Sequence, residues 1–389
     1  MSTSPSSTYS SPGSIRKRRE QAIANRTQLS VIRLLVTGGT SYLGEFLIQD
    51  LVDLNLHGGI NSSRRIEVHI TYNTQIPTIP EGVESDLIGK HKIDLENEIE
   101  IRELISFLKP DAIFHIAALA NVGACHRDRS KAMRINCCTA LTDAIKDFCP
   151  KCFVAFASTD LVYDGEKSPY RNDRVKAIPG TAYGASKMAM ENEILKLRYG
   201  FVFRLSNMIG PAYCFSPKGT KFLQFLINAC TKREKIGLRH DEIRSFVSVL
   251  EVTFTFIQAM IMHFTLEKTK KSCIYNVGGP YGLSRVDLAR YVAEAMNVDI
   301  FVHKDETTCD STIAKMPASN HAVWNVYQTS NAENIAATGI QNPRDVTMES
   351  YDTEQYFDIE YSHAAVIIGN TLAILNEGED KDVASKHLP

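Results

Sequence analysis

The chain has 389 residues, 44% of them hydrophobic, which is enough for two compact units with a large core. Its 43 basic and 45 acidic residues leave a net charge of −2, so no bulk electrostatic field recruits nucleic acid or an anionic membrane. No apolar run reaches the roughly 18 residues of a membrane span and no signal-peptide core is present, so we expect a cytoplasmic protein.

The N-terminal residues 1–29 are rich in serine and carry a basic cluster at 16–19. This composition cannot bury a core, so we predict a disordered tail over residues 1–29. The basic cluster fits either a solvated tail or a targeting signal.

The first buried strand is predicted at Val31–Val36. A turn that contains three glycines, Thr37–Gly44, follows it, and apolar residues at helical spacing come next. Strand, glycine turn and helix form the geometry in which backbone N–H groups and a helix N-terminus receive a pyrophosphate. Gly44 would let the helix pack closely on the sheet.

The next two strands end in features that a dinucleotide would meet. Strand Ile66–Thr71 is followed by Tyr72 and Asn73, so no carboxylate is available for a ribose diol, which favours NADP over NAD. A short strand at His91–Leu95 places Asp94 to accept a hydrogen bond from an adenine amine.

Strand Ala112–Ile116 ends in Ala117 and Ala118, small residues that let a dinucleotide lie against the backbone. A crossover helix at 129–148 leads to a further strand at Phe153–Ala157. Strand and helix thus alternate repeatedly before residue 160. This alternation predicts an α/β fold with a doubly wound parallel sheet.

The domain organisation follows from the same pattern. We predict a dinucleotide-binding domain over 30–205, to which residues 245–270 return. A smaller, mainly helical substrate-binding domain would comprise 206–244 and 271–350, and residues 351–389 would form a C-terminal extension.

Tyr183 and Lys187 lie four residues apart in a helix-compatible stretch, so both side chains face the same way. A fixed ammonium beside a phenol stabilises the phenolate, and we therefore expect the pKa of Tyr183 to fall from its usual ~10 towards neutrality. Such a phenol can give a proton to a carbonyl oxygen or take one from an alcohol. Ser158 and Thr159 add a hydroxyl pair at the end of a buried strand. Taken alone, Tyr-x-x-x-Lys also fits a solvated helix face.

These motifs together resemble the extended short-chain dehydrogenase/reductases. The resemblance rests on the Thr37–Gly44 turn, Ala117-Ala118, Ser158–Gly165 and Tyr183-x-x-x-Lys187, which occur in that order. Within that superfamily the chain resembles the dTDP-4-dehydrorhamnose reductases and the regulatory beta subunits of methionine adenosyltransferases, from about residue 31 to residue 347.

The resemblance implies roles for particular residues. Thr159, Tyr183 and Lys187 would be catalytic, with Ser158 as the alternative to Thr159. NADP, or else NAD, would be bound by Tyr183 and Lys187 together with Gly38, Thr40, Ser41, Tyr42, Leu43, Gly44, Asp94, Leu95, Ala117 and Ala118. The middle glycine of the family's turn is Ser41 here, whose Cβ would crowd the pyrophosphate or whose hydroxyl would bond a phosphate.

Two further segments resemble phosphate contacts of nucleotide-sugar enzymes. Arg204–Pro211 matches Arg-x-x-Asn-x-x-Gly-Pro, whose asparagine touches the substrate diphosphate, which implies that role for Asn207. Arg244 begins a stretch whose arginine binds a phosphate. A strand with a Gly-Pro turn and structural arginines would account for the same residues.

The implied function is NAD(P)H-dependent reduction of a 4-keto group on a nucleotide-linked deoxysugar. Dehydration is disfavoured because Leu161 stands where a glutamate would be needed, whereas epimerisation stays open. The alternative from another class of protein is that the chain is a non-catalytic regulatory subunit, which would bind a methionine adenosyltransferase catalytic subunit. A homodimer is a further alternative, and no nucleic-acid or membrane partner is expected.

Nine cysteines are scattered mostly through apolar runs, as expected of reduced thiols. One Cys-x-x-Cys pair occurs, Cys149 and Cys152. Zinc would need two more ligands, and no second pair with suitable spacing appears. We therefore predict no metal site and interpret the pair as a loop that enters a strand.

Overall fold

The computed structural model describes residues 30–60, 64–79, 87–171, 176–212, 221–266, 271–313 and 323–385. The predicted tail over 1–29 lies outside these ranges. The strands are, in chain order, β1 (Ser30–Thr37), β2 (Arg64–Tyr72), β3 (Ile88–Lys92), β4 (Ala112–His115), β5 (Phe153–Thr159), β6 (Tyr199–Leu205), β7 (Met208–Ile209), β8 (Ile236–Arg239), β9 (Val247–Ser248), β10 (Cys273–Val277), β11 (Ile300–His303) and β12 (Trp324–Thr329).

The helices alternate with these strands through most of the chain. They are α1 (Tyr42–Leu56), α2 (Glu98–Leu108), α3 (Val122–Arg127), α4 (Arg129–Asn136), α5 (Thr139–Phe148), α6 (Ala182–Ile194), α7 (Phe222–Lys232), α8 (Val249–Thr265), α9 (Arg285–Ala295), α10 (Glu306–Ile313), α11 (Asn331–Thr338), α12 (Tyr351–Phe357) and α13 (Ala364–Ser385). None of the helices within the described ranges combines the length and the apolar character needed to cross a membrane.

Seven parallel strands form the main sheet in the order β10-β6-β5-β4-β1-β2-β3. Its central strands are buried on both faces because successive residues alternate between two helical layers. Leu34 and Val36 pack in the layer that contains α1 and α8, whereas Leu35 packs in the layer of α2, α5 and α6. The predicted doubly wound parallel sheet is confirmed.

The strand order reverses beside β1, which pairs in parallel with β2 on one side and with β4 on the other. In an open α/β sheet a ligand binds in the crevice at such a point, outside the carboxyl ends of the strands. The chain therefore places its glycine turn, which follows β1, at the edge of that crevice.

A second unit is built on the three-stranded parallel sheet β11-β12-β8, with α7, α9 and α13 packed in its core around Trp324. This small sheet was not predicted, because strands of four residues carry too little alternation to be seen in the sequence. Strands β7 and β9 pair in parallel with each other and form a separate two-stranded sheet.

Some predicted boundaries need correction. The segment 271–350 does not lie wholly in the second unit, because β10 pairs with β6 in the main sheet. The extension 351–389 contributes to both cores, through Phe357 in the first and Ile368 in the second. The predicted helix at 129–148 is two helices, since the backbone leaves the helical conformation at Cys137.

Candidate active site

The glycine turn after β1 is built by close backbone contacts. Gly38 has φ +75°, and a Cβ there would lie 2.8 Å from the Cα of Ala117. A Cβ at Gly44 would lie 2.6 Å from the carbonyl oxygen of Gly38, so the glycine lets α1 pack on the turn as expected. Ser41 is the N-cap of α1, and its hydroxyl accepts a hydrogen bond from the Gly44 N–H at 3.1 Å. The Ser41 side chain therefore bonds back to its own helix.

A cavity of about 300 Å³ lies outside the carboxyl ends of β1, β2 and β4. A second cavity of about 560 Å³ adjoins it, and the two share Ser41 and Ala118. Together they form one elongated cleft, which we call the crevice, of a size typical of cofactor and substrate sites. The smaller cavity is lined by the predicted residues Gly38, Thr40, Ser41, Asp94, Leu95, Ala117 and Ala118.

The larger cavity collects the predicted residues Ser41, Tyr42, Leu43, Ala118, Ser158, Thr159, Tyr183, Lys187, Asn207 and Arg244. Gly44 is the one predicted dinucleotide residue that is absent from both linings, and it lies behind the turn. The residues present fit a dinucleotide, because the turn leaves backbone room at Gly38 and the two cavities are continuous.

Tyr183 and Lys187 lie on α6, which begins after the N-cap Thr181. Lys187 is 1% exposed, and its Nζ lies 4.1 Å from the centre of the Phe156 ring. Burial lowers the pKa of Lys187 to about 7, although Glu191 acts in the opposite direction.

The expectation of a lowered pKa for Tyr183 is wrong. Burial raises the pKa of Tyr183 well above its usual value, and the negative charge of Asp160 raises it further. The cost of burying the charged phenolate therefore outweighs the stabilisation that the neighbouring Lys187 could give it.

The two hydroxyls at the end of β5 have different partners. The Thr159 hydroxyl donates to the Asp160 carboxylate at 3.2 Å and accepts from the Leu161 N–H at 3.2 Å. The Ser158 hydroxyl donates to Glu191 at 2.5 Å. Thr159 therefore lies at the carboxyl end of β5 beside the larger cavity, whereas the Ser158 hydroxyl is hydrogen-bonded to a residue of a buried ion pair.

That ion pair joins Glu191 of α6 to Arg204 of β6 at 2.7 Å, with both side chains at most 5% exposed. Arg204 also donates to the Tyr163 hydroxyl at 3.0 Å, and that hydroxyl donates to Asn276 at 2.7 Å. Arg204 is thus a structural arginine that links three segments of the main domain.

Tyr163→Phe removes the hydroxyl that joins Arg204 to Asn276. We expect the free energy of unfolding to fall by about 1–3 kcal/mol, because two buried polar groups lose a partner. Urea denaturation measures this, with Tyr351→Phe as a control on a side chain that is 62% exposed. Equal stability of the two variants would mean that the Tyr163 hydroxyl contributes nothing to the network.

The sequence predicted Arg244 as a site residue but not the charged wall to which it belongs, which also contains Arg239, Glu242 and Arg285 and lines the larger cavity. Arg244 lies 3.3 Å from Asp160 and donates to Glu242 at 2.7 Å. Arg239 and Arg285 also approach Glu242, and these approaches keep the pKa of Glu242 low despite its burial. The one local signal was the density of charge in the segment 239–244.

The wall retains unused donors. Within the described residues, the Nε atoms of Arg244 and Arg285 are buried without a hydrogen bond, whereas the terminal nitrogens of Arg244 face Asp160 and Glu242. Buried donors of this kind are costly unless a ligand completes them. The arginines therefore point to an anionic ligand group at this end of the crevice.

Lys187→Met is expected to raise stability at low pH. Because the folded pKa is about 7 and the unfolded pKa is ~10.4, the unfolded chain binds more protons between these values. The penalty for burying the lysine is therefore complete below pH 7 and fades as the pH rises. We expect the variant to gain about 2 kcal/mol over the wild type at pH 6. Urea titrations at pH 6 and pH 10 test this, and an advantage that does not shrink with pH would contradict it.

The strand order, the glycine turn at the reversal point and the Tyr–Lys pair across the crevice define a dinucleotide-dependent oxidoreductase of the extended short-chain dehydrogenase/reductase type. The model of the NAD dependent epimerase/dehydratase family matches residues 34–278, and the chain belongs to that family.

Curated relatives fall in the same group. The chain is 24% identical over 294 residues to a dTDP-4-dehydrorhamnose reductase of Aggregatibacter actinomycetemcomitans, an alignment that covers 74% of this chain and 89% of the relative. It is 25% identical over 165 residues to the spore coat polysaccharide biosynthesis protein SpsK of Bacillus subtilis, covering 42% of this chain and little more than half, 56%, of the relative. Over 207 residues it is 24% identical to methionine adenosyltransferase 2 subunit beta of Xenopus laevis, covering 53% of this chain and 60% of the relative.

Solved structures share the fold. A hypothetical dTDP-4-dehydrorhamnose reductase of Sulfolobus tokodaii aligns with a TM-score of 0.60 at 21% identity, covering 83% of this chain and 94% of that one. The corresponding reductase of Bacillus anthracis, solved in complex with NADP, aligns with a TM-score of 0.63 at 18% identity, covering 88% and 99%.

Proposed function

We propose that this protein reduces a 4-keto group on a nucleotide-linked deoxysugar with NADPH. The observation that carries the proposal is the larger cavity, in which Tyr183, Lys187 and Thr159 face the buried arginine wall. Tyr183 on one side of the cavity can donate a proton, and the arginines on the other side can bind an anion.

The dinucleotide would lie along the crevice. Asp94 and Leu95 line the end where an adenosine would lie, and the backbone around Gly38 leaves room for the pyrophosphate. Strand β2 ends at Tyr72 and is followed by Asn73, so it offers no carboxylate for a ribose diol, which supports NADP. When bound, the nicotinamide supplies the hydride.

Tyr183 would act as the general acid. The raised pKa means that the phenol is protonated at neutral pH, which is the form that gives a proton to a carbonyl oxygen. Thr159 would hold the same oxygen by a hydrogen bond. The ammonium of Lys187 would hold the nicotinamide ribose and favour the negative charge that develops on Tyr183.

The nucleotide diphosphate would lie against the second unit. The Nε of Arg244 has no hydrogen bond in the cavity wall, and a planar guanidinium suits the geometry of a phosphate. Asn207 lines the same cavity and could add an amide donor. Asp160 and Glu242 offset part of the positive charge of Arg244. Its contribution to phosphate binding would therefore come from the geometry of its hydrogen bonds as well as from its charge.

The test is oxidation of NADPH and of NADH by the purified protein with a panel of nucleotide-linked 4-keto-deoxysugars. We expect NADPH consumption and a reduced sugar with at least one of them. Arg244→Gln should raise KM more than it lowers kcat, because the contact is remote from the reacting carbon. Tight NADPH binding without turnover on the whole panel would contradict the reductase.

That last outcome would favour a second candidate, a dinucleotide-binding regulatory subunit. It is supported by the local similarity to methionine adenosyltransferase 2 subunit beta, which reaches 34% identity over 109 residues in the Danio rerio protein, 27% of this chain and 32% of that one. Affinity capture with a methionine adenosyltransferase catalytic subunit distinguishes the two functions. An epimerase would instead interconvert a nucleotide sugar without net NADPH consumption.

A further inference from the structure

Far from the crevice, Cys149 and Cys152 form a closed turn between α5 and β5. The N–H of Cys149 bonds to Ile145 as the cap of α5, and the N–H of Cys152 bonds to the carbonyl oxygen of Cys149 at 2.9 Å. Both cysteines are free, and the Cys152 thiol donates to the carbonyl oxygen of Phe153 at 3.4 Å. Cys149 is half-buried, whereas Cys152 is 3% exposed.

The two thiols differ in character. The neighbouring Cys152 thiol lowers the pKa of Cys149, against the effects of burial and Asp111. Burial raises the pKa of Cys152 well above its ordinary value. An accessible thiol of lowered pKa beside a buried one is the arrangement of an attacking and a resolving cysteine.

A cavity of about 330 Å³ opens beside this turn, and Cys152 is part of its wall. None of the lining residues that the structure describes is acidic. Four of them are cations, namely Lys146, Lys151, Lys196 and Arg198. Lys146 pairs with the exposed Asp143 and the exposed Lys196 pairs with the partly exposed Glu193, and ion pairs at the surface are weak in water. The cavity would therefore attract a small anion to the turn that holds the two cysteines, on the side of Cys152.

We propose that Cys149 and Cys152 form a thiol–disulfide exchange site for a small anionic disulfide. The Cys149 thiolate attacks one sulfur of that disulfide, whose S–S bond breaks, and the first small thiolate leaves and takes up a proton. Cys152 then loses its proton and attacks the Cys149 sulfur. The mixed disulfide breaks, and the second small thiolate leaves with that proton. Two protein thiols are oxidised and one small disulfide is reduced to two thiols.

The product would be a Cys149–Cys152 disulfide at the amino end of β5. Strand β5 has seven residues, so this site lies about 20 Å from Thr159 at the other end. The proposal is thus independent of the proposed reductase, and its test does not require that activity.

The experiment treats the full chain with oxidised glutathione and maps its cysteines by mass spectrometry of peptides. We expect the wild type and Cys137→Ser, a control on another half-buried cysteine, to yield a 149–152 peptide lighter by two hydrogen atoms. Cys152→Ala should accumulate a stable glutathione adduct on Cys149, and Cys149→Ser should form neither product. No reaction, or a stable adduct on Cys149 in the wild type, would overturn the proposal.

A second measurement tests the basic cavity. We expect the double variant Lys151→Gln/Arg198→Gln to be oxidised about tenfold more slowly by oxidised glutathione. Its rate with the uncharged bis(2-hydroxyethyl) disulfide should equal that of the wild type. Equal slowing with both disulfides would show that the cations act on the thiols and not on the anion, which would overturn the recognition of an anionic disulfide.

Discussion

Tyr183→Phe is expected to lower kcat for keto-sugar reduction by about 10²–10⁴, the range that positioned general acids contribute. The phenol is the group in the larger cavity that is held protonated by its surroundings, since burial and Asp160 both disfavour its ionisation. Phenylalanine keeps the ring and its packing but has no proton to give. Steady-state kinetics with saturating NADPH measures the loss.

Two controls accompany this variant. Its Kd for NADPH should stay within a few-fold of the wild-type value, because the ring remains in place. Tyr281→Phe, on a side chain that is 60% exposed, should turn over as the wild type does. If Tyr183→Phe kept wild-type kcat, another group would have to deliver the proton and the assignment would fail.

Arg204→Met is expected to lower the free energy of unfolding by about 3–5 kcal/mol, because it leaves Glu191 buried without its partner. The same change removes a donor to Tyr163 and loosens the partner of Ser158. We expect a matching fall in the midpoint of urea unfolding with little change in its slope. The double variant Glu191→Gln/Arg204→Met should recover part of the loss, since no buried charge then lacks a partner.

Arg134→Met supplies the matched control. Arg134 pairs with Glu96 at 2.9 Å, but the two side chains are 57% and 29% exposed. Loss of this pair should cost less than about 1 kcal/mol. Comparable losses at Arg204 and Arg134 would mean that burial of the Glu191–Arg204 pair contributes nothing to its effect.

The parts of the fold that sequence reasoning predicted are those encoded by short stretches of chain. The Thr37–Gly44 turn predicted its own geometry, because only a glycine tolerates the φ at position 38 and the tight contact at position 44. Likewise, Ser284 and Ser330 are the N-caps of α9 and α11, and each forms a capping box with a carboxylate three residues on, a local signal that the sequence itself carries.

Sequence reasoning failed where a property depends on segments that are distant in the chain. The spacing of Tyr183 and Lys187 predicted that they share a helix face. It did not predict that Phe156 covers the Lys187 ammonium, or that burial and Asp160 raise the pKa of Tyr183. The wall around Glu242 likewise depends on residues that are distant in the chain, because Arg285 approaches Glu242 from the start of helix α9. The pattern of charges along the chain does not show which charged residues from distant segments come into contact in the fold.

The central claim is that Tyr183 protonates a sugar carbonyl to which NADPH gives its hydride. The most direct measurement uses NADPH carrying deuterium at the transferable position of the nicotinamide, with a nucleotide-linked 4-keto-deoxysugar as substrate. We predict that the product sugar carries one deuterium at its C4 carbon and that Tyr183→Phe forms this product at the reduced rate given above. A product without deuterium at C4, or no product despite saturated NADPH binding, would contradict the account.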